Sequence, residues 1–155
     1  IGRIDTSSIG ISLDNPTKVG SNKYLRVWVD LTGVDFRKAN FGLIGQDGTV
    51  YTTDYKDGAE PPFYYLPDGE TQWRKLYHGG DGGFGAAQGS SVKNYKGFLA
   101  FPIEDFTSAS NTSSGPASSV TVKEVFFYFD FTDLSMQGST FYLDEMGMVP
   151  EYWVF

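Results

Sequence analysis

The chain contains no cysteine, which excludes disulfide frameworks, thiolate metal centres and cysteine nucleophiles together. It has one histidine, His78, and a lone imidazole with no thiolate beside it does not make a zinc site. No apolar run is long enough to span a bilayer, so membrane insertion is not expected. Positive charge is scarce: 12 Lys and Arg stand against 19 Asp and Glu, a net charge of −7. A surface of that sign repels phosphate backbones, so nucleic acid is not an expected partner. Helical spacing of apolar residues hardly occurs anywhere in the sequence.

What the chain has instead is aromatic side chains at period two. Its 155 residues include 13 Phe, 10 Tyr and 3 Trp, more than one core of that size needs, so part of this aromatic set is expected on a surface. The length suits a single domain over 1–155. The start at Ile1-Gly2-Arg3 reads as a domain cut from a longer protein. In 23–31 (KYLRVWVDL) Leu25, Val27, Val29 and Leu31 fall on one face and Tyr24, Arg26, Trp28 and Asp30 on the other. Further strands are predicted at 9–13, 40–45, 49–53, 71–77, 96–103, 120–131 and 140–149, with 40–45 and 49–53 joined as a hairpin through Gln46-Asp47-Gly48. The segment 120–131 is β-branched and aromatic throughout, as a central strand covered on both sides would be. Pro102 marks an edge strand or a strand end. Many short strands at this spacing predict an all-β fold, a β-sandwich jelly roll of two antiparallel sheets.

Three segments read as loops: 54–70, rich in Pro, Gly and Tyr; 78–95, dominated by Gly; and 107–119, a Ser- and Thr-rich insertion between apolar strands. The run HGGDGGFG at 78–85 has no Lys-Ser/Thr after it and no strand-to-helix context, so it is not a phosphate loop. Asn111-Thr112-Ser113 fits the glycosylation sequon, a match that chance supplies readily in such a loop.

The order Trp73, a strand ending in F-P-I-E-D-F (101–106), the aromatic strand VFFYFD (125–130) and the closing FYLDEMGMV (141–149) resembles the jelly-roll, galactose-binding-like carbohydrate-binding modules of family 11 and its relatives. The likeness covers about residues 23–149 and consists of loose hydrophobic patterns; the acidic opening strand of those modules has no clear counterpart here. It implies a non-catalytic domain that binds a polysaccharide or oligosaccharide and targets attached catalytic or docking modules in a secreted or cell-surface bacterial protein. Soluble β-glucan or hemicellulose is the expected ligand, with starch-type α-glucan next. The resemblance also implies a structural calcium near the last strand, at Asp144; the loop carboxylates Asp54, Asp57 and Glu60 read as solvated.

Sugar recognition needs flat aromatic faces against pyranose C–H groups and fixed polar groups for the hydroxyls. Tyr24, Arg26, Trp28 and Asp30 supply both, and the alternative is a second buried face with Arg26 and Asp30 paired across strands. Tyr128 and Asp130 share a face with Phe126 that either lines the cleft or is core. Tyr51, Tyr55, Tyr64 and Tyr65 are placed at the cleft rim, or, for the Tyr64–Tyr65 pair, as a plug pinning its loop; Trp73 reads as a structural tryptophan. The rivals are a β-sandwich glycoside hydrolase and an adhesin-like or protein-docking domain. A glycosidase needs two carboxylates facing one another at about 5–10 Å; no glutamate stands on a strand with a partner at period two, which leaves Asp30 and Asp130 as the pair to check. A serine hydrolase built on His78 lacks the Gly-x-Ser-x-Gly elbow.

Overall fold

Among the described residues the period-two segments become nine strands in two antiparallel sheets. The computed structural model describes residues 7–33, 36–53, 61–77, 95–131 and 140–151, with 7–8, 14, 36–38 and 130–131 described by their backbone. The strands are β1 (Ser7–Lys18), β2 (Tyr24–Asp30), β3 (Phe36–Gly45), β4 (Val50–Thr52), β5 (Pro62–Pro67), β6 (Arg74–Tyr77), β7 (Lys96–Pro102), β8 (Thr121–Phe131) and β9 (Tyr142–Val149). Four form a sheet in the order β1-β8-β3-β4, and five a second sheet in the order β6-β5-β7-β2-β9. The chain crosses between sheets at β1→β2, β2→β3, β4→β5, β7→β8 and β8→β9, the alternation that winds a jelly roll.

Alternation decides what lies between the sheets. On β2, Leu25, Val27 and Val29 are fully buried, and β8 turns Val125, Phe127 and Phe129 to the same core. From β3 come Ala39, Phe41 and Leu43; from β7, Leu99 and Phe101. Phe101 is the hub. Its ring lies 5.4 Å from Phe41 of the opposite sheet, 5.5 Å from Phe63 and 6.4 Å from Phe106.

The hairpin of β3 and β4 forms as its turn residues predict, with Leu43 opposite Tyr51. Pro102 closes β7, an interior strand, and a 3-10 turn at Ile103–Asp105 follows it. Two expectations change. The first strand runs from Ser7 to Lys18, well beyond 9–13, with a register shift between Ser12 and Thr17 against β8. The supposed loop 54–70 contains β5, a strand whose Phe63 and Tyr65 enter the core. Prolines at both its ends hid it, although both stand where a strand tolerates them.

Candidate functional site

The outer face of the five-stranded sheet collects the aromatic and charged residues that the core leaves over. Since Leu25, Val27 and Val29 point inward, Tyr24, Arg26, Trp28 and Asp30 must point outward. The register places their neighbours. Trp28 stands between Phe98 of β7 and Asp144 of β9; Arg26 between Ala100 and Gly147; Asp30 between Lys96 and Tyr142. On the far side of β7, Tyr64 pairs with Ala100 and Leu66 with Phe98, and β6 brings Lys75 opposite Tyr64.

At one end, Tyr24 and Tyr64 meet edge to face at 5.8 Å, and Trp73 packs with them around Ala100. Burial, then the neighbouring Tyr64, Glu151 and Glu104, raise the Tyr24 phenol above its ordinary pKa. A depression of about 430 Å³ opens beside this pair, with Lys23, Pro62, Glu104 and Glu151 on its walls. At the other end, the Trp28 indole N–H donates to Asp68 Oδ1 at 3.0 Å, and Lys96 Nζ lies 5.9 Å from the indole centroid. Between the two ends the Arg26 guanidinium lies 5.3 Å from the Phe98 ring centroid, and its Nε is buried with no hydrogen-bond partner. Tyr77 and Tyr142 are 52% and 59% exposed, so aromatic surface continues onto both edge strands.

Asp30 is held by its own strand end: Oδ1 accepts from Thr32 Oγ1 at 2.7 Å and from Thr32 N at 3.1 Å. These two bonds, with Lys96 nearby, keep its carboxyl below the ordinary range. A depressed pKa stabilises the fold above the unfolded carboxylate value near 4 and loses that contribution as pH falls through the folded value. Asp30→Asn is therefore expected to melt below the wild type at pH 5–7. The two melting curves should draw together as pH falls below the unfolded carboxylate value, and an offset that stays constant through the acid range would contradict it.

Asp144 belongs to this face, at a bulge. Between the pairs Trp28–Asp144 and Arg26–Gly147, β2 has one residue and β9 two, and Glu145 takes a φ of 47°. Asp144 Oδ1 accepts from the Glu145 N–H at 2.8 Å, stabilising the turned backbone. Among the described residues no group of three or more His, Asp or Glu side chains that could hold a metal ion occurs. Asp54, Tyr55, Asp57, Glu60 and His78 lie outside the described residues.

The structure brings Tyr24, Arg26, Trp28, Asp30 and Tyr64 together and leaves three candidates elsewhere. Tyr128 and Asp130 are on β8, in the four-stranded sheet. Tyr128 there accepts from Asn40 Nδ2 at 3.1 Å and lies 5.5 Å from the Phe126 ring, which is laid over Gly42. Tyr51 points from β4 toward the core, where burial raises its phenol pKa. The strands that carry Asp30 and Asp130 consequently belong to different sheets. Trp73 is partly buried against the small Tyr24–Ala100 cluster, apart from the main core. Phe98 and Lys96 went unselected although the period that turned Leu99 and Phe101 inward also turned them outward; Asp68 gave no such signal.

Comparison with family models, with curated proteins and with solved structures gives no match for this chain.

Proposed function

We propose that the chain is a non-catalytic module that binds polysaccharide along the outer face of its five-stranded sheet. The observation that carries this reading is the one-sided placement of Tyr24, Tyr64, Trp73, Trp28 and Phe98, among fixed polar groups, opposite a complete aliphatic and aromatic core. Such a face meets pyranose C–H groups with rings and hydroxyls with Asp30, Asp68, Asp144 and Arg26. Soluble β-glucan or hemicellulose suits it first, and starch-type α-glucan second. The same reading carries the resemblance's other expectations: a secreted or cell-surface bacterial setting, attached catalytic or docking modules, and a structural calcium, which a melting scan with and without EDTA measures.

Calorimetry and affinity electrophoresis against a panel of soluble glucans, xylans and starch test it, with a reducing-sugar assay alongside. Binding without release of reducing ends is expected. Trp28→Ala should weaken binding roughly 30-fold, about 2 kcal/mol, as loss of a central tryptophan does. Melting should shift by no more than a few degrees, because Trp28 lies outside the core. Silence across the panel, or unfolding of Trp28→Ala, would sink the proposal. Reducing ends in the assay would make the domain an enzyme, with Glu104 and Glu151 beside Tyr24 the carboxylates to replace first.

A further inference from the structure

We infer that this face is built for an anionic polysaccharide, with Arg26 taking an acidic substituent of a pyranose ring. The inference rests on the binding reading above and names its ligand class. It comes from an asymmetry between the charges of the face. Three aspartates of the face are already engaged by donors of the protein itself: Asp30 by Thr32, Asp68 by the Trp28 indole, and Asp144 by the Glu145 N–H. Three cations are instead laid over aromatic rings: Arg26 at 5.3 Å from Phe98, Lys75 at 5.4 Å from Tyr77 and Lys96 at 5.9 Å from Trp28. Among the described residues none of the three makes an ion pair, whereas Arg74, at the end of β6, is bonded to Glu70.

Stacking satisfies the face of a guanidinium and leaves its N–H groups, which lie in its own plane, without acceptors. Arg26 shows this directly, because its buried Nε has no partner. Its neighbours on the adjacent strands are Ala100 and Gly147, and a Cβ added at Gly147 would meet nothing within 4 Å. An incoming group therefore has room beside the guanidinium, between the Tyr24–Tyr64 pair and the Trp28–Phe98 pair. The acceptor that fits a planar fork of donors is a pair of anionic oxygens, as in the carboxylate of a hexuronic acid or a sulfate ester on a sugar. General electrostatics does not create this preference. The whole chain carries −7 and repels a polyanion at long range, so any gain from charge must be local.

Calorimetry at 150 mM salt compares a glucuronoxylan with the same polymer after chemical reduction of its carboxyl groups, and a sulfated galactan with its desulfated form. The acidic member of one pair is expected to bind about tenfold more tightly than its neutral counterpart, the size of a charge-assisted hydrogen-bonded contact. A gain in the first pair identifies the carboxylate, and a gain in the second the sulfate. Arg26→Lys keeps the charge but loses the fork, and should lose most of the discrimination. Arg26→Gln should abolish it, so that the acidic and neutral members of each pair bind that variant equally. Equal affinity within both pairs, or discrimination that survives Arg26→Gln, overturns the inference and leaves the binding reading standing. No binding to any polymer overturns both.

Discussion

Phe101→Ala is expected to lower the unfolding free energy by about 3–5 kcal/mol, the range for a large aromatic removed from a packed interior. Several observations put it at the high end. Phe101 is fully buried on β7, inside the five-stranded sheet. Its ring touches Phe41 of the opposite sheet as well as Phe63 and Phe106, so truncation leaves a void bounded by stiff rings from both layers. Rings fixed by strands collapse poorly into a void, and the cost rises with the cavity that remains. A domain of this size loses roughly 2–4 °C of melting temperature per kcal/mol, so a drop of about 10 °C is expected. Calorimetric melting or urea unfolding measures it. A loss below about 1 kcal/mol would mean that the two sheets are not joined through this ring. The side chain points away from the outer face, so polysaccharide affinity of the variant, measured well below its melting temperature, should match the wild type.

How much of this was legible in the sequence depends on how local each cause is. Alternation is a property of consecutive residues, and it correctly divided β2 into Leu25-Val27-Val29 and Tyr24-Arg26-Trp28-Asp30. It also gave the hairpin at Gln46-Asp47-Gly48 and the aromatic strand β8. What alternation does not contain is the sheet to which a strand belongs. Tyr128 and Asp130 carry the same aromatic-and-acid pattern as Trp28 and Asp30, yet the sheet order puts them in the other layer. Asp68, in the turn after β5, meets Trp28 only because β5 and β2 flank β7. The loop reading of 54–70 failed for a different reason. Pro62 and Pro67 advertise turns, and they masked four intervening residues, Phe63 to Leu66, whose alternation was intact.

Gly97→Ala is expected to cost about 3 kcal/mol or more and, unlike Phe101→Ala, to take binding with it. Gly97 lies within β7 with a φ of 147°, opposite Val29 on one side and Pro67 on the other. A side chain at such a φ is strained by about 1–3 kcal/mol wherever it stands. Here the added Cβ would also lie 2.4 Å from Leu66 O and 2.8 Å from Pro67 Cα, both backbone atoms of β5, and 2.7 Å from Tyr95 Oη. The two backbone atoms cannot swing aside as a flexible side chain would, so β5 and β7 must part locally. That stretch holds the Tyr95 O–H to Phe98 O bond at 2.7 Å and the Asp68 N–H to Lys96 O bond at 3.2 Å. Parting the strands moves Phe98, Lys96 and Asp68 together, and these are the residues that support Arg26 and Trp28 from beneath and beside. Melting should fall by roughly 6–12 °C, amide protection at Leu66 and Phe98 should drop, and the folded fraction should bind polysaccharide at least tenfold more weakly. A variant that melts within 2 °C of the wild type would show that the two strands do not approach as closely as the register requires. A destabilised variant with full affinity would place the ligand away from Trp28 and Phe98, toward the depression beside Tyr24.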